Sequence, residues 1–483
     1  MYNNIDINSI VTPFLNNVSD APVFTEELLY PLVDQSKDTF VTDILFCIFC
    51  QYSATDSDVF TTYAEKFLQK EYEGEAVDFT EEYRGIYKIN KAYGTDPYAV
   101  WIRRCKEIGI RPWLTFRMND CHVNAFLKST FQQLAKKNGW IIGEQYGYFG
   151  NCLDYKVPEV RETMLRYLEE QVMRYDVHGV ELDFQRELYC FNYLEEDMDV
   201  CTGIMNDFVR SFKYIVKQAE EKFGHPIRIA VRLTRDIDQS LRFGFDARTW
   251  AKEGLVDMIV PSPRWSNVDT GIPFDVWKRE LPGVEIPGCL ETLLASGELG
   301  NAFMTAETAR GLAAGHLAAG ADGIYLYNFF GQWDYMENRD HAVQLTCGSM
   351  EEIYRHPVRC FIQKQDAATC PKPYINWEPL PLRLAAGESG SITIRTGTIP
   401  AEKRVTLLLG LDSGCICDLE TAANGISANG FTASDMPEPK NAAPEGTRCF
   451  AAGIPVPEGM ETVLRFTCKN APVSICWVEL CII

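Results

Sequence analysis

The chain is short of positive charge, of histidine and of long apolar runs, and each shortage closes off a class of protein. Lys and Arg number 46 against 67 Asp and Glu, a formal net charge of −21. Such a surface repels phosphate backbones and anionic headgroups, so neither nucleic acid nor membrane is expected as a partner. No apolar run approaches the ~20 residues needed to span a bilayer. The opening MYNNIDINSIVTPF has neither the basic nor the apolar region of a signal peptide. A cytoplasmic location is therefore expected, although a chain trimmed of its signal would read the same. Only six histidines occur, none in His-x-His or His-Glu-x-x-His spacing, and no glycine-rich phosphate loop follows a strand-like run. Metal and nucleotide chemistry lack their usual signals, so no cofactor and no metal is expected.

Cysteine, by contrast, is plentiful. The count of 17 is odd, and most positions fall inside apolar segments, which reads as buried thiols in a reducing compartment, not as a disulfide framework. Cys47 and Cys50 in CIFC have metal-motif spacing but sit in an apolar strand with no second ligand pair, so they read as core.

At 483 residues the chain is too long for one ordinary core. After about forty residues of lead-in, VTDILFCIFC reads as a strand, and a second early strand is expected near residues 72 to 90. Strands and amphipathic helices then alternate. DPYAVWIRRCKEIG is a helix between an aspartate-proline start and a glycine stop, leading into the strand RPWLTFRMND. VPEVRETMLRYLEEQVMRYD leads into HGVELDF, and a helix from about Asp197 to Phe223 leads into IRIAVRLT. VDMIVPSP, VEIPGCLE and ADGIYLYNFF complete eight strands. Eight βα units predict a (β/α)8 barrel, an α/β fold. Near residue 375 the composition shifts to short strands between Gly, Pro, Asn and Ser turns, which predicts an all-β sandwich. The expected division is a barrel over 1–370, with its lead-in, and an accessory sandwich over 371–483.

In a barrel of this kind the chemistry sits at the C-terminal ends of the strands. Alternation along HGVELDF places Val180, Leu182 and Phe184 on one face and Glu181 and Asp183 on the other. Burying two carboxylates is costly unless something pairs with them or uses them. The same reading turns Thr115, Arg117 and Asn119 inwards from WLTFRMN, with Asp120 and His122 just beyond. Arg232 points inwards from IRIAVRLT, Arg186 follows Asp183, and Glu291 ends EIPGCLE. Tyr327 and Asn328 end the last strand, and Trp265 and Trp333 lie in loops at the same end. A structural salt network would account for the charged residues alone. Paired carboxylates beside flat aromatic surfaces also suit a sugar ring, whose C–H face stacks while its hydroxyls hydrogen-bond.

HGVELDF, FRMND and GIYLYNF, in that order, resemble the bacterial glycoside-hydrolase-like (β/α)8 barrels, in which a Gly-[IV]-Glu-Leu-Asp-[FW] run ends the fourth strand and a β-sandwich commonly follows. The resemblance covers roughly residues 40 to 335 and implies a carbohydrate substrate. Arg117, Asn119, Asp120 and His122 are also similar to the inverting exo-sialidase barrels, in which a histidine near an aspartate serves the chemistry and arginines hold the substrate carboxylate. A guanidinium clamps a carboxylate through two parallel hydrogen bonds, so Arg117, Arg186 and Arg232 would suit sialic or uronic acid. One departure matters: chitinase-like barrels carry a catalytic glutamate two residues after the last aspartate, and Gln185 stands there.

Glycoside hydrolysis usually needs one group to protonate the leaving oxygen and another to attack or to activate water. Asp183 is expected to be one, with Glu181 tuning it or pairing with an arginine. Its partner is Glu291 in a retaining layout, or Asp120 with His122 in an inverting one. Asn119, Trp265, Tyr327, Asn328 and Trp333 are the expected sugar contacts. Two rivals stand beside this reading: an inactive glycan-binding barrel, and a metal-dependent hydrolase using His122, Asp120 and Asp183. A homo-oligomer is left open.

Overall fold

The protein is described by a computed structural model. It describes residues 1–72, 75–121, 129–264, 268–295, 302–327, 329, 337–362, 379–435, 437 and 445–483. Eight strands form the parallel sheet: β1 (Tyr2–Ile5), β2 (Asp43–Phe49), β3 (Arg111–Arg117), β4 (Gly179–Asp183), β5 (Arg228–Thr234), β6 (Met258–Ser262), β7 (Gly288–Glu291) and β8 (Ile324–Tyr327). Their hydrogen-bonding order is β6-β5-β4-β3-β2-β1-β8-β7. A parallel bridge between Met258 and Glu285, three residues ahead of β7, brings the sheet close to closure as a barrel. Every residue of β2 and β4 is buried, as expected of parallel strands covered on both faces.

The helices start and stop where their end chemistry predicts. The Asp96 side chain accepts from the N–H groups of Tyr98 and Ala99 to open helix Pro97–Glu107. Asp197 caps Met198–Phe223, which ends on Gly224 at φ +77°. Pro158–Arg174 and Ala306–Ala318 follow β3 and β7.

One strand lies elsewhere than expected. Residues near 72–90 hold a two-residue hairpin and the helical turns Arg84–Tyr87 and Lys88–Ala92. The first barrel strand is Tyr2–Ile5, within the supposed lead-in, paired in parallel with Asp43–Phe46. Both of its asparagines are buried, and Asn4 donates to the Glu181 carboxylate at 3.5 Å. A barrel interior accepts such polar side chains when they are hydrogen-bonded.

The glycine of the GVELD run has a packing reason. Gly179 is the register partner of Trp113 on β3, and a Cβ added there would stand 2.2 Å from the indole ring. The ring is fully buried and its N–H donates to Asp43 at 2.8 Å, so it cannot swing away cheaply. Gly179→Ala is expected to destabilise the chain by ~1–3 kcal/mol in urea unfolding, the usual cost of overpacking. An unchanged midpoint would refute the close approach.

Two compact units emerge from the contacts, one chiefly Met1–Pro261 with Trp277–Ile286, the other Ser262–Val276, Pro287–Tyr327 and Asn338–Ile483. Besides the short antiparallel pair Leu293–Ala295 and Ala302–Phe303, the described residues of the second unit form two larger antiparallel sheets. One runs in the order Val358–Ile362, Val473–Ile482, Val405–Ser413, Arg448–Ile454, Thr432–Ser434, with Leu382–Leu384 also on Val473–Ile482. The other is Ser389–Arg395, Glu461–Cys468, Leu419–Ala423, Ile426–Ala428. Burial alternates along Glu461–Cys468, so its sheet has one covered and one wet face. The expected boundary at 370/371 lies outside the described residues. Among the described residues no helix is long and apolar enough to cross a membrane.

Candidate active site

Within the first unit, the C-terminal ends of β1 to β5 gather acidic and basic side chains. The register makes Asp183 the partner of Arg117 on one side and of Arg232 on the other. Arg232 forks onto Asp183, Nε to Oδ1 and Nη2 to Oδ2, both at 2.9 Å. The Arg186 backbone N–H adds a third hydrogen bond to Oδ1, also 2.9 Å. Both side chains are 1% exposed. Three donors converging on two oxygens make Asp183 an acceptor of fixed orientation.

Arg117 turns to a different pair. Its guanidinium donates to Asp6 and, at 3.3 Å, to Asp120. Asp6 follows β1 directly, accepts the Ser9 N–H at 2.6 Å and is buried. Asn119, expected to touch substrate, is committed to backbone: its amide nitrogen donates to the carbonyls of Leu153 and Tyr189, and its oxygen accepts the Leu153 N–H. It pins two loops beside Asp120. Glu181 lies deeper, accepting from Thr115 at 2.7 Å and from Asn4.

Beyond β4, Arg186 and Glu187 are buried side by side, 4.0 Å apart. The Tyr148 hydroxyl donates to Glu187 at 2.9 Å. Burial, then the Glu187 charge, pushes the Tyr148 phenol well above its ordinary range. Gln51 follows β2 with a left-handed backbone, φ +64°, and no exposure. Neither atom of its amide has a hydrogen-bond partner among the described residues. Strained backbone and unpartnered polar groups cluster at functional sites. The preceding Cys50 feels the charges of Asp120, Arg117 and Asp6.

Asp6, Gln51, Glu187 and Tyr148 escaped the sequence reading. Asp6 stood in the supposed lead-in, and nothing local announces a left-handed glutamine. Glu187 and Tyr148 fall in segments without strand or helix period. In the second unit, Glu291 ends β7, 2% exposed, accepting the Leu293 N–H at 3.5 Å, and Tyr327 ends β8, 1% exposed. His122, Trp265, Asn328 and Trp333 lie outside the described residues.

The opposite strand ends are charged too. Arg111 grips Asp43, and Tyr2 and Arg228 converge on Glu285. Arg111, Asp43, Tyr2 and Arg228 start their strands and Glu285 lies just ahead of one, at the end where barrels hold stabilising contacts.

Behind the Asp120 cluster, the Cys50 thiol lies 2.6 Å from the Tyr63 hydroxyl. Burial pushes that thiol up to about 12. Tyr63 also lines a cage around the buried Lys66, whose ammonium lies 4.6–5.9 Å from the ring centroids of Tyr52, Tyr63, Phe79 and Tyr83 and donates to the Tyr83 hydroxyl at 3.1 Å. Burial lowers Lys66 to about 8, against the pull of the Glu82 charge. A lysine depressed in the fold binds fewer protons there than when unfolded, so its charge penalty is complete below pH 8 and fades as pH rises from 8 to about 10.5. Lys66→Met is expected to be more stable than the parent by up to ~3 kcal/mol at pH 7, with the gap closing by pH 10. Urea titrations of both proteins at each pH check this, and a pH-independent gap would refute it.

No family model matches the sequence, and no curated protein matches it. Among solved structures, the chain is similar to alpha-L-fucosidase isoenzyme 2 from Paenibacillus thiaminolyticus at TM-score 0.43 and 13% identity, over 75% of this chain and 51% of that one. It is similar to the PgaB glycoside hydrolase domain from Bordetella bronchiseptica at TM-score 0.42 and 9% identity, over 71% of this chain and 98% of that one. A family 18 N-acetylglucosaminidase from Paenibacillus barengoltzii has TM-score 0.34 and 10% identity, over 71% and 98%. The chain thus spans about half the length of that fucosidase.

Proposed function

We propose that this protein is a glycoside hydrolase in which Asp183 is the carboxylate that meets the anomeric carbon or activates water. The observation that carries this reading is the oriented Asp183–Arg232 pair at the C-terminal end of the fourth barrel strand, with further carboxylates at the ends of its neighbours. Cleavage of a glycosidic bond develops positive charge on the ring and negative charge on the leaving oxygen. A fixed carboxylate answers the first, and a proton donor answers the second. Arg232 and the Arg186 N–H hold Asp183 in place, and Glu181 supports it from below.

The second group is Glu291 in a retaining scheme and Asp120 with His122 in an inverting one. Tyr327, Trp265, Asn328 and Trp333 are proposed to hold the sugar, with Gln51 adding an amide donor and acceptor. Arg117 and Arg232 already serve carboxylates of the chain, which supports a neutral sugar. A sialic or uronic acid substrate would be held by Arg186, which is buried beside Glu187 beyond the fourth strand.

The test is release of umbelliferone from aryl glycosides, with sialic and uronic acid glycosides beside neutral hexosides. Turnover of a carboxylated sugar lost in Arg186→Met supports the charged-substrate version, and turnover of neutral sugars alone supports the other. Turnover of none, with glycan binding retained, would leave a binding barrel. Replacing the acid spares substrates with good leaving groups, so Glu291→Gln and Asp120→Asn, compared on good and poor leaving groups, assign it.

A further inference from the structure

The antiparallel sheets of the second unit carry a cluster that the barrel chemistry does not use. Most of the described cysteines are buried, but Cys415 and Cys417 are exposed. They lie in SGCICD, where a short turn, Ile416–Asp418, joins the strands Val405–Ser413 and Leu419–Ala423. The turn brings the two sulfurs to 2.8 Å, and an Asp418 carboxylate oxygen lies within 4.8 Å of both. Exposed thiols contribute nothing to packing and are open to reaction, so a pair held together beside a carboxylate calls for a use.

The neighbouring turn holds the carboxylate in place. Asn470 donates to Asp418 Oδ1 at 3.2 Å, and the Asp418 carbonyl accepts the Lys469 N–H at 2.7 Å.

We propose that Cys415, Cys417 and Asp418 form a surface site for a soft divalent cation of the zinc class. Two thiolates and one carboxylate are ligands that zinc accepts in tetrahedral sites, with water or a partner group in the fourth position. At a metal–sulfur distance of ~2.3 Å the sulfurs of such a site stand roughly 3.7 Å apart, so the thiols open by about 1 Å, a side-chain rotation in an exposed turn. Each thiol releases its proton to solvent as its sulfur–metal bond forms, and no electron moves. The bound ion would tie the turn at 414–418 to the one at 469–470 through Asp418.

Titration of the reduced full chain with cadmium, followed by the thiolate-to-cadmium absorption, tests the site. One equivalent is expected to bind, raising the thermal midpoint. Cys415→Ser and Cys417→Ser should each weaken binding at least ~100-fold, and Asp418→Asn about 10-fold, with the fold kept because the turn is exposed. Undiminished uptake by the double serine variant would overturn the site. So would absent uptake in a parent that loses two thiols to glutathione disulfide, which would make the pair a surface disulfide couple instead.

Discussion

Asp183→Asn is expected to lose turnover by roughly a thousandfold, the scale of one positioned catalytic carboxylate, and to lose stability as well. The substitution leaves the Arg232 guanidinium, 1% exposed, without the anion that both its forks engage. Breaking a buried pair from one side costs about 3–5 kcal/mol, whereas replacing both partners with apolar residues of similar volume is often neutral. The double variant Asp183→Leu/Arg232→Met should therefore recover much of the stability that Asp183→Asn loses, while remaining inactive. Urea unfolding read beside aryl-glycoside turnover separates the two effects. Recovery of both activity and stability in the double variant would make the pair purely structural.

Gly311→Ala should be the most damaging small substitution in the second unit. Gly311 lies in helix Ala306–Ala318 where it meets the strand Val358–Ile362, and a Cβ there would stand 1.8 Å from the carbonyl oxygen of Arg359. No rotamer relieves a clash with backbone. The helix must withdraw from the strand, which opens a gap among buried neighbours such as Leu312 and Cys360. A loss of at least ~3 kcal/mol is expected, the upper end for overpacked cores. Gly320→Ala tests the clash against a simple glycine effect, because that glycine has open space around it and strains only through its φ of +100°. Similar losses for the two would show that helix and strand do not approach so closely.

The legible parts of the fold were those governed by local chemistry. Aspartate and glycine caps marked the helices, and continuous apolar runs marked the buried parallel strands. Alternation along GVELD placed Glu181 and Asp183 on one face, and the rank of the strands put Arg117 and Arg232 on either side. The N-terminal strand was not legible, because four residues with two asparagines carry no strand signal until Glu181 and β2 receive them. Nor could the sequence say which arginine each carboxylate would take. Arg117 and Arg232 are equally in register with Asp183, yet one turns to Asp6 and Asp120 while the other forks onto Asp183. That choice belongs to Asp6, nearly 180 residues from Asp183 in the chain, and to the fold that sets β1 against β2.

By itself, then, the sequence determined the alternation of strands and helices, the change to an all-β region, the acidic surface and the carboxylates at the strand ends, since period, caps and charge act over a few residues. Only the tertiary structure decided which first strand completes the sheet, which ion pairs form, and that Gln51 is buried with its amide unpartnered among the described residues. Those outcomes depend on groups far apart in the chain competing for the same donors in a space closed to water.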